Sequence, residues 1–370
     1  MIFSCEKHLL QSACAIASRA TASKSPIPAL EGLLLEAKDD VKITGYDLKE
    51  GIFTNVRADV EEKGSIVVGA RFFGEMLRRL PDGIVTVRAG YDHSIRVKCS
   101  KSEFNFMGID AGDYPEMPVV DVVNTISLPQ KILRSMIDQT IFAVADTDVR
   151  PIYTGTLFEV DGDELTLVSV DGYRLAKRSE KLDSAKMENC SFVVPGSSLT
   201  DIQRICADSE DPVQISVGSK HISFFIGDTV VITRRLEGDF LNYRRSIPEM
   251  FRTVIQVDRG EIMSVIDRVS LIVSEKNSSP VRLTFGDGTI DCYCVTPFGK
   301  AEDVCTCEGN GNGLEIGFND RYLMDALKAA GTDELQLCLN TASSPCVIRA
   351  ADGSAAFTYM ILPVRLRAGE

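Results

Sequence analysis

Two pairs of thiols are the first place to look for chemistry. Cys292 and Cys294 sit in "DCYCV" and Cys305 and Cys307 in "VCTCE"; on neighbouring strands, four such sulfurs could surround a zinc ion. The single residue between paired thiols is shorter than the usual structural-zinc gap, and residues two apart on a strand do no more than share a face. No metal is therefore expected. The eleven cysteines, an odd number spread from Cys5 to Cys346, read as reduced thiols rather than as a disulfide framework. His8, His93 and His221 are the only histidines and lie far apart, which argues against a histidine cluster or triad. Asp161 and Asp163 could form a carboxylate pair, but "DGD" is the chemistry of a tight turn. Neither phosphate-cradling glycine motif is present. The expectation is a protein with no catalytic residues and no cofactor.

The elements that carry these residues repeat three times across the 370 residues. Each third opens with a strand leading into an amphipathic helix, from Ile2, Ile126 and Ile255. A strand, turn and strand follow from Glu31, Thr154 and Val281, with Asp39-Asp40, Asp161-Gly162-Asp163 and Gly286-Asp287-Gly288 as turns. A second strand and helix begin at Ser65, Ser191 and Leu314, and each third closes on paired strands. From Gly32 to Gly155 the period is 123 residues. Pro-bearing stretches at 112–124 and 238–250 read as linkers. The pattern predicts an α+β fold of three tandem domains, 1–120, 126–246 and 253–370, each with two helices packed on antiparallel sheets.

The formal charge of −13 taken alone argues against nucleic acid. Its placement argues otherwise. Helices predicted over 6–20, 70–80, 129–140, 197–206, 258–270 and 319–330 carry twelve basic and nine acidic residues, a net of +3 against −16 for the remainder. A polyanion touching only the helices would sense the local field within a Debye length of ~8–10 Å more than the net charge. With no signal peptide and no apolar run of membrane length, the expected location is the cytoplasm.

Three segments in this frame, "VDGYRLA" (170–176), "GDFLNYRR" (238–245) and "YMILPVRL" (359–366), give the chain a close resemblance to the bacterial DNA polymerase III beta subunits, the replicative sliding clamps. The likeness runs to Leu366, with Arg367 to Glu370 beyond the usual end. The resemblance implies a head-to-tail homodimer closed into a ring around double-stranded DNA, read without sequence preference. It also implies that polymerase, clamp loader and repair proteins dock through short peptides, and that no membrane is involved. The unusually apolar tail would then be half of a groove for those peptides.

Positions matching that groove are Tyr153, Val170, Gly172, Tyr173, Arg174, Leu175, Leu241, Arg245 and Ser246, together with Met360, Ile361, Leu362, Pro363, Val364 and Arg365 from the tail. Methionine, leucine and proline would supply an adaptable apolar wall, and Arg174 and Arg245 polar anchors. Tyr173 stands where relatives often have histidine, and Leu241 where they often have proline. "VVPGSSL" (193–199) lacks a basic residue common in relatives, leaving Lys24, Arg71 and Arg79 as the DNA-facing candidates. Phe104 and Phe106 in the first domain would meet Leu271 and Ile272 of the third across the ring interface.

Overall fold

The computed structural model describes residues 1–147, 149–182, 189–273, 279–353 and 356–366; Arg367 to Glu370 lie outside them. Among the described residues six long helices run Lys7–Ala17, Ala70–Arg79, Gln130–Asp138, Gly196–Ile205, Arg259–Ser270 and Asp320–Ala329. Local chemistry sets several of these limits. The Asp258 carboxylate accepts from the Glu261 N–H at 2.7 Å and Asn319 Oδ1 from the Tyr322 N–H at 3.1 Å, each satisfying a donor that the first helical turn leaves unpaired. The helix Ala70–Arg79 buries Ala70, Phe73, Met76 and Leu77 and leaves Arg71, Glu75, Arg78 and Arg79 in solvent, as a 3.6-residue period requires.

The chain divides into two compact units, Met1–Arg134 with Thr200–Arg235, and Ser135–Leu199 with Leu236–Glu370. The division does not follow the threefold repeat, because the middle repeat pairs its strands with both neighbours. Within the first unit its strand Thr229–Arg234 lies against Glu50–Val56, completing an eight-stranded sheet beside a five-stranded one. Within the second unit its strand Arg174–Lys181 lies against Phe357–Ile361, inside a ten-stranded sheet. Among the described residues every strand pairing is antiparallel.

Each unit has a large apolar core under its helices and a smaller cluster on the other side of its sheet. In the second unit the large core includes Ile255, Ile266, Leu323, Tyr359 and Ile361, and the small cluster Val170, Leu175, Tyr243, Val347 and Met360. The long hairpin Val281–Thr296 and Gly299–Phe318 shifts register between Phe285 and Thr289, where Gly288 adopts φ 74°. Its four cysteines belong to the large core or pack against it. Burial, with nearby carboxylates and thiols, pushes the Cys292 and Cys305 thiols up to about 12. Among the described residues no cluster of three or more His, Cys, Asp or Glu could hold a metal ion. None of the described helices is long and apolar enough to cross a membrane.

Candidate peptide groove and surfaces

The C-terminal strand is what brings residues near 170 and near 360 together. Leu175 stands opposite Met360 and Arg174 opposite Ile361, and past the strand's end the Leu362 N–H donates to the Tyr173 carbonyl at 2.8 Å. Two residues on, the Val364 N–H donates to the Gly317 carbonyl at 2.8 Å. The tail is thus pinned along its backbone while Leu362 and Val364 stay exposed.

Strand alternation then sorts the tail into two faces. Met360, 7% exposed, points to the small cluster; Ile361, 1% exposed, points the other way into the large core. Ile361 therefore does not line the groove, a correction to the sequence reading. A row of opposed residues crosses the sheet as Val170, Leu175, Met360, Val347 and Cys338. These are floor. The exposed rim is made by Tyr173, Leu241, Leu362, Val364, Arg245 and Arg365.

One wall comes from the second linker. Tyr243 is buried in the small cluster, and its hydroxyl donates to Glu159 at 2.5 Å while Arg244 donates to the same carboxylate at 2.9 Å. Burial works against ionisation of Glu159, yet the hydrogen bonds from Arg244 and Tyr243 hold its carboxyl below the usual range. Asn242 caps the single turn Tyr243–Ser246 by accepting from the Arg245 N–H, and Ser246 Oγ donates to the Asn242 carbonyl at 3.2 Å. This clasp sets where Leu241 and Arg245 project. Tyr153 closes the end with its ring 5.7 Å from that of Phe240.

The turn ahead of Arg174 is equally specified. Asp171 Oδ1 accepts from the Tyr173 and Arg174 N–H groups at 2.8 and 2.9 Å, and Gly172 takes φ 96°, a conformation glycine adopts without strain. Tyr173 is 62% exposed and stacks on Tyr322, ring centroids 6.2 Å apart.

Arg174 departs from its expected role. Its Nε donates to Asp171 at 2.9 Å and its Nη1 to Asp325 at 2.6 Å, with the guanidinium 4.4 Å from the Tyr322 ring centroid. It is a half-buried strut that ties this segment to the helix Asp320–Ala329, while Arg245 and Arg365 are exposed. Arg174→Ala leaves Asp171 without its ion pair, so a loss of roughly 1–3 kcal/mol is expected, below that for a fully buried pair because Asp325 is 40% exposed. A thermal melt of the full chain checks it. Arg174→Lys should restore stability only in part, since one ammonium nitrogen cannot occupy both the Nε position facing Asp171 and the Nη1 position facing Asp325.

The other candidate surfaces lie elsewhere in their own units. Lys24 and Arg71 are exposed and make no ion pair among the described residues, whereas Arg79 shares Glu75 with Arg78. Phe104 and Phe106 lie on Ser102–Met107, the edge strand of the five-stranded sheet. They share the face of Ile95 and Val97, their cross-strand partners in the core. Phe106 leans edge-on against Phe72 at 5.1 Å, while Phe104 stays 37% exposed. Leu271, just past the helix Arg259–Ser270, is 81% exposed, and Ile272 is half-buried against the core.

Sequence reasoning missed Asp325, Tyr322 and Glu159, which hold the groove's shape; Asp325 lies 151 residues from Arg174, and no local pattern joins them.

Models of the DNA polymerase III beta subunit match the chain three times, its N-terminal domain over residues 1–118, its central domain over 127–242 and its C-terminal domain over 244–365. The beta sliding clamp of Staphylococcus aureus is 31% identical over 358 residues, covering 94% of each chain. That of Bacillus subtilis is 31% identical over 377 residues, covering 99% of this chain and all of the other. The crystal structure of the Bacillus subtilis DNA polymerase sliding clamp superposes with a TM-score of 0.94 at 30% identity, over 99% of this chain and all of that one.

Proposed function

The chain belongs to the DNA polymerase III beta subunit family, and from that membership we propose that it works as a ring-shaped homodimer whose peptide groove is the one built around Leu362. Its function is that of a DNA sliding clamp: it encircles duplex DNA and tethers the replicative polymerase for processive synthesis, without catalysis of its own. The repeat domains are 1–120, 126–246 and 253–370, and the compartment is the cytoplasm. Partners, among them polymerase, clamp loader and repair proteins, dock through short apolar peptides. The observation that carries this reading is the pinned tail. A chain end fastened by backbone hydrogen bonds with Leu362 and Val364 left in solvent beside Tyr173 and Leu241 has a backbone cost already met and an apolar surface still to cover.

Ring closure needs two different surfaces that meet heterologously and close after two copies. An edge strand with an uncovered Phe104 and a protruding Leu271 supply one of each. An unpaired strand edge is a template for another chain, and a dimer uses it. Phe104→Asp should weaken association by more than about 2 kcal/mol, roughly thirtyfold or more. Sedimentation of wild type and variant at micromolar concentration tests it: wild type should run as a dimer and the variant shift toward monomer. A monomeric wild type would overturn the ring.

A further inference from the structure

The threefold repeat makes a prediction about the first unit that the second unit's groove lets one read. The segment Tyr46 to Gly51 is built as Val170 to Leu175 is. Asp47 Oδ1 accepts from the Lys49 and Glu50 N–H groups at 2.8 and 2.7 Å, as Asp171 does from Tyr173 and Arg174. Leu48 takes φ 74° where Gly172 takes 96°. The incoming strand is pinned alike: the Arg234 N–H donates to the Lys49 carbonyl at 3.2 Å, as Leu362 does to Tyr173. The floor row of the groove has its counterpart in Tyr46, Gly51, Ile232, Ser223 and Ser216, opposed strand by strand. Leu175 is thereby replaced by Gly51.

The space that this glycine leaves is filled. Met117 of the first linker lies over it, its terminal methyl within contact of where a Cβ on Gly51 would sit and its Sδ 3.1 Å from that point. Tyr114 anchors the linker from below, buried, with its hydroxyl donating to the Thr44 carbonyl at 3.2 Å. Both linkers carry the same words, Gly-Asp-aromatic and Pro-Glu-Met, at 112–117 and at 238–240 with 248–250. The second has the residues 241–247 inserted between them. That insert makes the Tyr243–Glu159 clasp, and the displaced Met250 is 83% exposed.

We infer that the first unit holds a second, closed copy of the peptide groove, a site for the same class of short apolar peptide, whose occupant is the chain's own Met117. This rests on the groove reading above. Linker length decides which copy is open: the short linker drops its methionine onto Gly51, and the long one carries its methionine away and leaves the floor for a partner.

The test removes the plug and rebuilds the floor. In the full-length protein, Gly51→Leu with Met117→Ala gives the first unit the leucine floor of the second. The probe is a synthetic peptide copying the clamp-binding segment of the same organism's polymerase, titrated by calorimetry. Wild type should bind one peptide per chain and the double variant two, with faster deuterium exchange confined to 112–120. One peptide per chain in the variant, with the linker released, would overturn the second site while leaving the groove reading intact. No binding to wild type would sink both. If the double variant does not fold, Met117→Ser carries the test. Exchange at 112–120 should then accelerate by about tenfold or more, since the linker loses its packing over Gly51, with groove affinity unchanged; unaltered exchange would show that Met117 does not close the site.

Discussion

Cutting a circular DNA once beneath a loaded clamp should release the protein at least roughly a hundredfold faster than it leaves the uncut circle, because the contacts that hold it in place are few and sequence-independent. Of the basic residues on the helices, Arg19 is tied to Asp201 at 3.1 Å, and Arg78 and Arg79 both lean on Glu75. Arg71, Arg134, Arg204 and Lys328 on the helices, and Lys24 in a loop, make no ion pair among the described residues. Each phosphate neutralised contributes about 0.9 to the slope of log affinity on log salt, and loose phosphate contacts without base readout hold no one register. Retention must come from closure of the ring. Lys24→Ala with Arg71→Ala should therefore leave retention on the circle within about twofold while reducing direct association with linear duplex by one to two units of salt slope. Equal retention on cut and uncut DNA at physiological salt would sink the topological mechanism.

Much of this was legible in the sequence, and the reasons differ by element. The helix predicted over 70–80 is observed at Ala70–Arg79 and that over 319–330 at Asp320–Ala329, because amphipathic period and capping chemistry are local. The strand pairing of the tail with 174–178 is not local, and only the family resemblance pointed to it. Within the tail, a period of two already assigns Met360 and Ile361 to opposite faces; which face meets the linker is decided by tertiary packing. Arg174 was expected to offer a free guanidinium, and Asp325, far along the chain, removes it. Nor does the repeat period foretell that the compact units cut through the middle repeat: a sheet continues wherever edge strands pair, whatever the order of the repeats.

That sorting of the tail yields the sharpest mutational contrast. Met360 and Leu362 are two residues apart and on the same face, yet Met360 is buried in a cluster with Leu175, Val347 and Tyr243 while Leu362 is 37% exposed. Met360→Ala opens a cavity under the groove and should cost about 2–5 kcal/mol of stability, lowering the melting temperature of the full chain. Leu362→Ala with Leu241→Ala removes only side chains that solvent already reaches, so the melt should stay within about 0.5 kcal/mol per site. Peptide binding should respond the other way. Each rim leucine covered by a partner is worth roughly 1.5–3 kcal/mol when fully buried and less at a wet rim, so the pair should weaken affinity at least about tenfold. Calorimetry with the polymerase peptide, run beside a thermal melt for each variant, separates floor from rim. Unchanged affinity in the rim variant would remove Leu241 and Leu362 from the groove, and an intact melt in Met360→Ala would mean that the floor is not the packed cluster on which the tail's position depends.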